Sequence, residues 1–418
     1  MVGTLGSDRT QKSQACCDYR RDVDLDGLST GRRIATLRKR AGLTQAGLAM
    51  RIHRSKSWVE KVERGSHVVD NISTLTQVAD ALGVSLAALR DDLDPRRPGS
   101  AVLPPLRQAL TAWSLDLEPR PAAQLRADVV AAGNQWQAVR ENYSTVAPLI
   151  PPLVAEARVA AMTATGDDRR EALLTLALVC QVAQEVAARL GEPDLSWIAA
   201  DRALSAAREA EHAVQAAVGA WRVAHAFLRS GDIDSARSAA AVAASELAPV
   251  LRSDPTAAGL SAHGALRLVG TIAAARAGDR ADVARLLSDA RRTAGALGED
   301  RNDAWQTFGP TNTGVHATAV AMELGDPDAA LAAARDVDPT RLLTLERQAT
   351  HRVVLAHALA MRRRPDDAYR QLLAAERLNP EGLPHDMLAR ELVRSLLRRK
   401  GRKPAGLRSL ATRLHVAD

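Results

Sequence analysis

Lysine is scarce in this chain, with six residues against 50 arginines. Three of the six, Lys39, Lys56 and Lys61, fall within residues 29–65, which carry ten Lys/Arg against two Glu, a net +8. An ammonium can donate to guanine O6 and N7, and a serine such as Ser57 can donate or accept at a base edge. Charge elsewhere is arranged differently: 66–94 is net −4, 95–389 comes to −3 and 390–418 returns to +7. A basic segment ahead of a mildly acidic body is an electrostatic footprint for nucleic acid.

Other chemistries find no constellation. His225, His263, His316, His351 and His357 form no compact pair with Cys or acid at zinc spacing, and no His-Glu-x-x-His run occurs, so no metal is expected. Phosphate-binding glycine loops, dinucleotide fingerprints and serine-elbow motifs do not appear either. The expectation is no catalytic residue, no cofactor and no enzyme. Three cysteines, with Cys16 and Cys17 adjacent, make neither a disulfide framework nor a classical zinc finger. Cys180, in the apolar run 173–182, reads as a small buried hydrophobe.

The elements that must position Lys56 and Lys61 are helices. Hydrophobic residues make up 46% and aromatics 3%, so the core must be aliphatic. Abundant Ala, Leu and Arg favour helix over sheet, which argues against sandwiches and barrels. So few aromatics also argue against a carbohydrate site built from stacked rings. At 418 residues two or three domains are expected. No apolar stretch reaches the ~20 residues that span a bilayer, and 1–28 lacks the apolar stretch of a signal peptide. A cytoplasmic protein with no membrane partner is expected.

Five short capped helices are predicted in residues 29–94. Thr30 caps the first, with Ile34, Leu37 and Ala41 apolar and Gly42 ending it. Thr44 caps the second, with Leu48, Ala49 and Ile52 inward. Ser55 caps the third, with Val59 and Val62 buried and Gly65 at its end. Asn71 caps the fourth, with Ile72, Leu75, Val78, Ala79 and Leu82 inward, and Ser85 opens a fifth. The tight His53-Arg54 connection makes helices two and three a helix-turn-helix unit.

With caps, core positions and turns in register, 43–49, 55–65 and 75–86 resemble the Cro/C1-type (xenobiotic response element, XRE) helix-turn-helix family. That family docks its third helix in the major groove. The resemblance implies that Lys56, Ser57 and Lys61 contact bases, and that Gln45, Ser55, Trp58 and Arg64 contact the sugar-phosphate backbone. It also implies a structural ion pair between Arg38 and Glu63. Glu60 can accept from cytosine N4 or serve as the i,i+4 partner of Lys56. Arg51 and Arg54 fit general attraction to phosphate. His53 stands where the family often has glycine, because that turn prefers φ above zero. Arg54 and Gly47 depart from the family pattern as well.

Beyond the helix breakers at 94–100 lies an expected linker, 95–120, and then helix after helix. Turns recur at Gly231-Asp232, Gly278-Asp279 and Gly325-Asp326, spaced by 47, and again at Pro365-Asp366. Each follows an apolar helix and precedes an Ala-rich one. Gly166-Asp167 and Gly191-Glu192 suggest further units upstream. These paired helices resemble tetratricopeptide repeats, though the period exceeds the usual ~34 residues. The segment 305–326 resembles one in actinobacterial regulators that join a Cro/C1-type domain to such repeats.

A repeat solenoid presents a concave face lined by the first helix of each pair. The polar and aromatic candidates there are Trp221, Arg222, His225, His263 and Arg267, then Trp305, Phe308, Asn312, His316, Arg347 and His351. Regulators with the resembled architecture often hold a signalling peptide on this face, with asparagines gripping the peptide backbone; Asn312 is the best single match.

The resulting expectation is an all-α chain with a flexible arm at 1–28, a lambda-repressor-like helix-turn-helix domain at 29–94, a helical-repeat sensor and dimerisation domain at 121–400, and a basic tail at 401–418. The tail is either the solvated end of a capping helix or a source of phosphate contacts or self-association. The function expected is that of a transcriptional regulator, a homodimer on double-stranded operator DNA in the cytoplasm and nucleoid, sensing a peptide or small-molecule effector. A repeat-based protein-interaction scaffold localised to DNA is the alternative.

Overall fold

The computed structural model describes residues 28–65, 69, 72–84, 86–89, 99–114, 116–399 and 402–416. The N-terminal helices are α1 (Thr30–Arg40), α2 (Gln45–Arg51), α3 (Lys56–Glu63), α4 (Ile72–Leu82) and α5 (Leu86–Leu89). Ile34, Leu48, Val59, Val62, Leu75, Val78 and Leu89 are buried together as their core. Each fully buried aliphatic side chain contributes about 1.5–3 kcal/mol relative to exposure, so short helices hold only because their apolar stripes converge.

Helix starts follow the capping chemistry. Thr44 Oγ1 accepts from the Gly47 N–H at 2.9 Å, and Ser55 Oγ accepts from the Trp58 N–H at 3.1 Å. His53, between α2 and α3, has φ of 51°, the left-handed conformation that the short turn requires. The first helix differs slightly: Ser29, with extended backbone, occupies the N-cap, and Thr30 is already helical. The expected caps Asn71 and Ser85, and the arm at 1–28 except Leu28, lie outside the described residues.

The body continues with α6 (Leu103–Thr111), α7 (Ala122–Ala138), α8 (Asn142–Thr145), α9 (Ile150–Thr163), α10 (Gly166–Arg189), α11 (Pro193–Glu209), α12 (Ala213–Ser230), α13 (Ile233–Ser253), α14 (Ala257–Arg276) and α15 (Arg280–Leu297). A two-stranded antiparallel hairpin follows, β1 (Arg301–Asp303) and β2 (Gln306–Phe308). Then come α16 (Pro310–Glu323), α17 (Pro327–Ala333), α18 (Leu345–Met361), α19 (Pro365–Leu378), α20 (Met387–Arg398) and α21 (Leu407–Arg413). The architecture is helical, a helix-turn-helix unit followed by a solenoid-like body.

The repeated turns are helix junctions. Gly231, Gly278 and Gly325 all have positive φ, and the next residues, Asp232, Asp279 and Asp326, N-cap the following helices. At the fourth turn Arg363 takes the left-handed position and Pro365 opens α19. Alanine lines the crossings: Ala177, Ala183, Ala187, Ala199, Ala203 and Ala207 are all fully inside one core.

Four features differ from expectation. Residues 100–111, set aside as linker, are helical, and Leu106 and Leu110 are fully buried in the body. The basic tail is partly structural, because α21 buries Leu407, Leu410 and Leu414 against Tyr369 and Leu396. Helix α10 is long and apolar enough to cross a bilayer by length and composition, as is the span Asn142–Thr163, but most of each apolar window is packed inside the protein. The hairpin breaks the helical pattern because Ala304 and Trp305 both adopt positive φ, and neither is a residue that announces such a turn.

The solenoid closes on itself. Glu381, between α19 and α20, accepts from the Tyr143 and Ser144 N–H groups at 2.8 and 3.0 Å. The rings of Tyr143 and His385 stack at 5.0 Å, and Arg189 of α10 pairs with Glu346 of α18. Helix α20 also meets the N-terminal unit, since Met387 packs against that unit's core and Arg398 Nη2 donates to Gly65 O at 3.1 Å.

Candidate nucleic-acid interface and central cavity

Helix α3 is held from beneath by charge. Arg38 Nε and Nη2 donate to Glu63 Oε1 and Oε2 at 2.5 and 2.9 Å, a bidentate fork tying α1 to the end of α3. Arg38 Nη1 also donates to Leu43 O at 2.7 Å, bracing the α1–α2 loop. Burial pushes the Glu63 carboxyl upward, but hydrogen bonds from Arg38 and Gln45 hold it below the usual carboxylate range. Gln45 Nε2 donates to Glu63 Oε2 at 2.8 Å, so that amide is engaged inside the unit, and Gln45 keeps its backbone position at the start of α2.

The outer face of α3 is open. Lys56, Ser57 and Lys61 are exposed, as are Ser55 and Arg64. Lys56 Nζ lies 3.4 Å from Glu60 Oε1, so Glu60 is the helix partner of Lys56. Arg64 Nε donates to Glu60 O at 3.2 Å, which points its guanidinium along the helix end. Trp58 is half-buried on the unit's core, with the Arg54 guanidinium 5.6 Å from its ring. Val59 and Val62 bury the opposite face. The helix thus presents two ammonium groups and a hydroxyl outward on a rigid mount.

The concave-face candidates separate into two groups. Trp221, Arg222, His225, Trp305, Asn312, His316 and Arg347 do converge, lining a recess of about 130 Å³. This recess adjoins a larger cavity of about 360 Å³, and His225 and Arg229 line both. Four candidates lie elsewhere, among them His263, whose Nε2 is 3.5 Å from Arg267 Nη2. Phe308 is fully buried against Gly264, where a Cβ would come within 1.9 Å of its ring. His351 is sealed inside α18's packing at 1% exposure. Arg267 lines a separate surface recess with Arg237 and Leu286. Arg267 and His351 sit on the expected helices but turn to the far side or into a seam, whereas Phe308 falls on strand β2 rather than on a helix.

Two members of the converging group are structural in part. Trp305 packs its ring on Gly133 and donates Nε1–H to Asn134 Oδ1 at 2.9 Å, filling the gap between hairpin and α7. Asn312 is 3% exposed, and both ends of its carboxamide are engaged: Nδ2 donates to Thr307 O at 2.5 Å and Oδ1 accepts from Arg347 Nε at 2.6 Å. Sequence reasoning missed Glu185, Arg189, Arg229 and Glu346, which supply most of the recess's charged groups. Arg229 carried a signal all the same, since it opens one of the recurring turns. Among the described residues no group of three His, Cys, Asp or Glu is placed to hold a metal ion. Cys180 is buried, which pushes its thiol up to about 12.

Residues 30–93 match the family model described as a helix-turn-helix domain. Among solved structures, the chain is similar to the crystal structure of Bacillus thuringiensis PlcR in complex with the peptide PapR7 and DNA. The two share 10% identity over 84% of this chain and 94% of that chain, with a TM-score of 0.28. A likeness that loose transfers nothing that PlcR binds. No curated protein matches the chain.

Proposed function

We propose that this chain, a helix-turn-helix domain at residues 30–93 joined to a closed helical body, is a sequence-specific DNA-binding transcriptional regulator. The single observation that carries the reading is the exposed face of α3, where Lys56, Ser57 and Lys61 project from a helix locked by Ser55 and the Arg38–Glu63 fork. Lysines reach guanine acceptors in the major groove, while Arg64, Ser55, Trp58 and the start of α2 at Gln45 bind phosphate or sugar and set the register.

One α3 reads only a few base pairs, so the regulator acts as a homodimer on two half-sites one helical turn apart. The body supplies the dimer contact and senses a peptide or small-molecule effector in its cavity. Effector binding shifts the separation of two reading heads only if it favours one arrangement over the other. Met387 suits that coupling, because it lines the larger cavity and packs on the N-terminal core. The reading places the protein in the cytoplasm, on the nucleoid.

Genomic footprinting with the purified protein tests this. Discrete protected sites are expected, and Lys61→Ala should weaken binding at its best site by roughly 1–3 kcal/mol while relaxing preference at one base pair. Uniform coating of DNA with no preferred site would leave only a scaffold anchored by charge.

A further inference from the structure

The recurring turn places one side chain from each of three consecutive repeats around the larger cavity: Arg229, Arg276 and Glu323. Arg276 donates Nε and Nη2 to Glu323 Oε1 at 3.0 and 2.8 Å, so the one acid of this ring is taken by its neighbour. The two further glutamates of the adjoining recess are also engaged. Glu185 accepts from Arg222 Nη1 at 2.9 Å, and Glu346 pairs with Arg189. Asp386 spends its carboxylate on the Ala389 N–H at 2.9 Å, capping α20. Among the described residues, no carboxylate pairs with Arg229 or with Arg347. Arg347 reaches only the Asn312 carboxamide, and its Nη2 is buried without a hydrogen-bond partner.

Two interior guanidiniums with no carboxylate in ion-pair contact are costly, even with Glu185 acting on Arg229 from farther off. Burial and the nearby Arg189 charge push both down to about 10, so both stay cationic at neutral pH. The histidines beside them offer no compensation. Burial and the same arginines hold His225 down at about 3 and His316 well below its ordinary value, leaving neutral rings that can still hydrogen-bond. The recess of about 130 Å³, lined by Arg189, Arg222, Arg229 and Arg347 against Glu185 and Glu346, therefore combines excess positive charge, planar fork donors and neutral rings, and it adjoins the cavity of about 360 Å³, a volume within the range of small-molecule sites.

We infer that this recess, with the cavity it adjoins, binds a small oxyanion-bearing molecule, a phosphate ester or a carboxylic acid, whose anionic group sits in the recess that Arg229 and Arg347 line together. The ligand supplies the counter-charge that the fold leaves out. This deepens the sensory half of the proposed function and rests on that half only for its biological role.

The test uses the full-length protein, titrated with sodium phosphate and separately with citrate, against sodium chloride at matched ionic strength, by calorimetry and thermal melting. Saturable binding is expected with at least one probe, together with a rise in melting temperature. Arg229→Met and Arg347→Met should each weaken that binding at least tenfold, while Arg252→Met, on the outer surface, should leave it unchanged. Without ligand Arg229→Met should not melt below the wild type, because it removes an interior charge that no carboxylate pairs, whereas Arg347→Met also removes the hydrogen bond to Asn312 Oδ1. Should Arg229→Met misfold, Arg347→Met and the charge-preserving Arg229→Lys carry the test, the latter with intermediate affinity. Response to phosphate alone assigns a phosphate ester, response to citrate alone a carboxylic acid, and response to both the shared oxyanion. No saturable response to either probe, or variants that bind as the wild type does, overturns the site. Footprints from the same preparations report the DNA-reading half separately: an intact footprint without anion binding removes this site alone, and anion binding without a footprint removes only the regulator.

Discussion

The guanidinium of Arg398 donates to the backbone carbonyl of Gly65 at 3.1 Å, joining the last turn of α20 to the turn that follows α3. Met387, at the other end of the same helix, lines the cavity and packs on the N-terminal core. Helix α20 is thus a rod of twelve residues between the cavity and the N-terminal unit. Arg398→Ala should remove one hydrogen bond to a charged donor, about 1.5–3 kcal/mol at most. Hydrogen exchange should then speed up at the amides of residues 62–65, with site preference unchanged in footprinting. Unaltered exchange there would mean that the contact does not hold the two parts together in solution.

The Arg38–Glu63 fork predicts a local loss of stability. Glu63→Ala leaves the Arg38 guanidinium, 9% exposed on its side chain, without its partner. The cost should be about 3 kcal/mol, the lower end for breaking a buried pair. Two melting transitions are expected in this variant, with the N-terminal unit unfolding first and the body unmoved. Because the folded state holds the Glu63 carboxyl below its ordinary value, the fork's contribution is complete above the ordinary carboxylate range and is lost as pH falls below it.

Salt dependence separates base contact from phosphate contact. Arg64→Ala should weaken binding to every sequence alike and reduce the slope of log affinity against log salt by about one. Lys61→Ala should change the ranking of sequences instead. Binding curves at two salt concentrations on a matched and a mismatched site distinguish the two.

Three buried histidines make the body acid-labile. Burial, with nearby arginine charge, pushes His225 down to about 3, His351 to about 4 and His316 well below its ordinary value. These rings are neutral when folded but take up protons in the unfolded chain below about 6.5. The unfolded state therefore binds more protons, and stability is lost as pH falls from 6.5 toward 4. The melting temperature should already drop between pH 6.5 and 5, above the range in which ordinary carboxylates titrate. His351→Phe should flatten that slope.

Gly264 has no room for a side chain. Its Cβ would lie 1.9 Å from Phe308 Cζ. Gly264→Ala should cost about 1–3 kcal/mol through overpacking, seen as a lower urea midpoint. Gly264→Ala combined with Phe308→Leu should recover part of the loss.

The N-terminal unit was legible because its signals are local. Thr44 and Ser55 cap within three residues, His53 needs only its own φ, and the 3.6-residue period selects Val59 and Val62 as the buried face. The body's junctions at Gly231, Gly278 and Gly325 were legible for the same reason. The cavity was legible only in part. Trp221, Arg222, His225, Asn312, His316 and Arg347 follow from helix order, but Phe308 and His351 rotate into seams. Which way a residue on an interior helix turns depends on the crossing angle with helices far away in sequence.

By itself, then, the chain's order of caps, periods and turns determined the helices, the exposed face of α3 and the 47-residue rhythm of the body. Only the tertiary structure decided that the solenoid closes, with Glu381 meeting Tyr143 and Glu346 meeting Arg189. Closure turns an exposed groove into an interior where charges must balance, and among the described residues it leaves Arg229 and Arg347 without a paired carboxylate. A single residue's type carries no record of that, because counter-charge is a property of the neighbours that folding brings within a few ångströms.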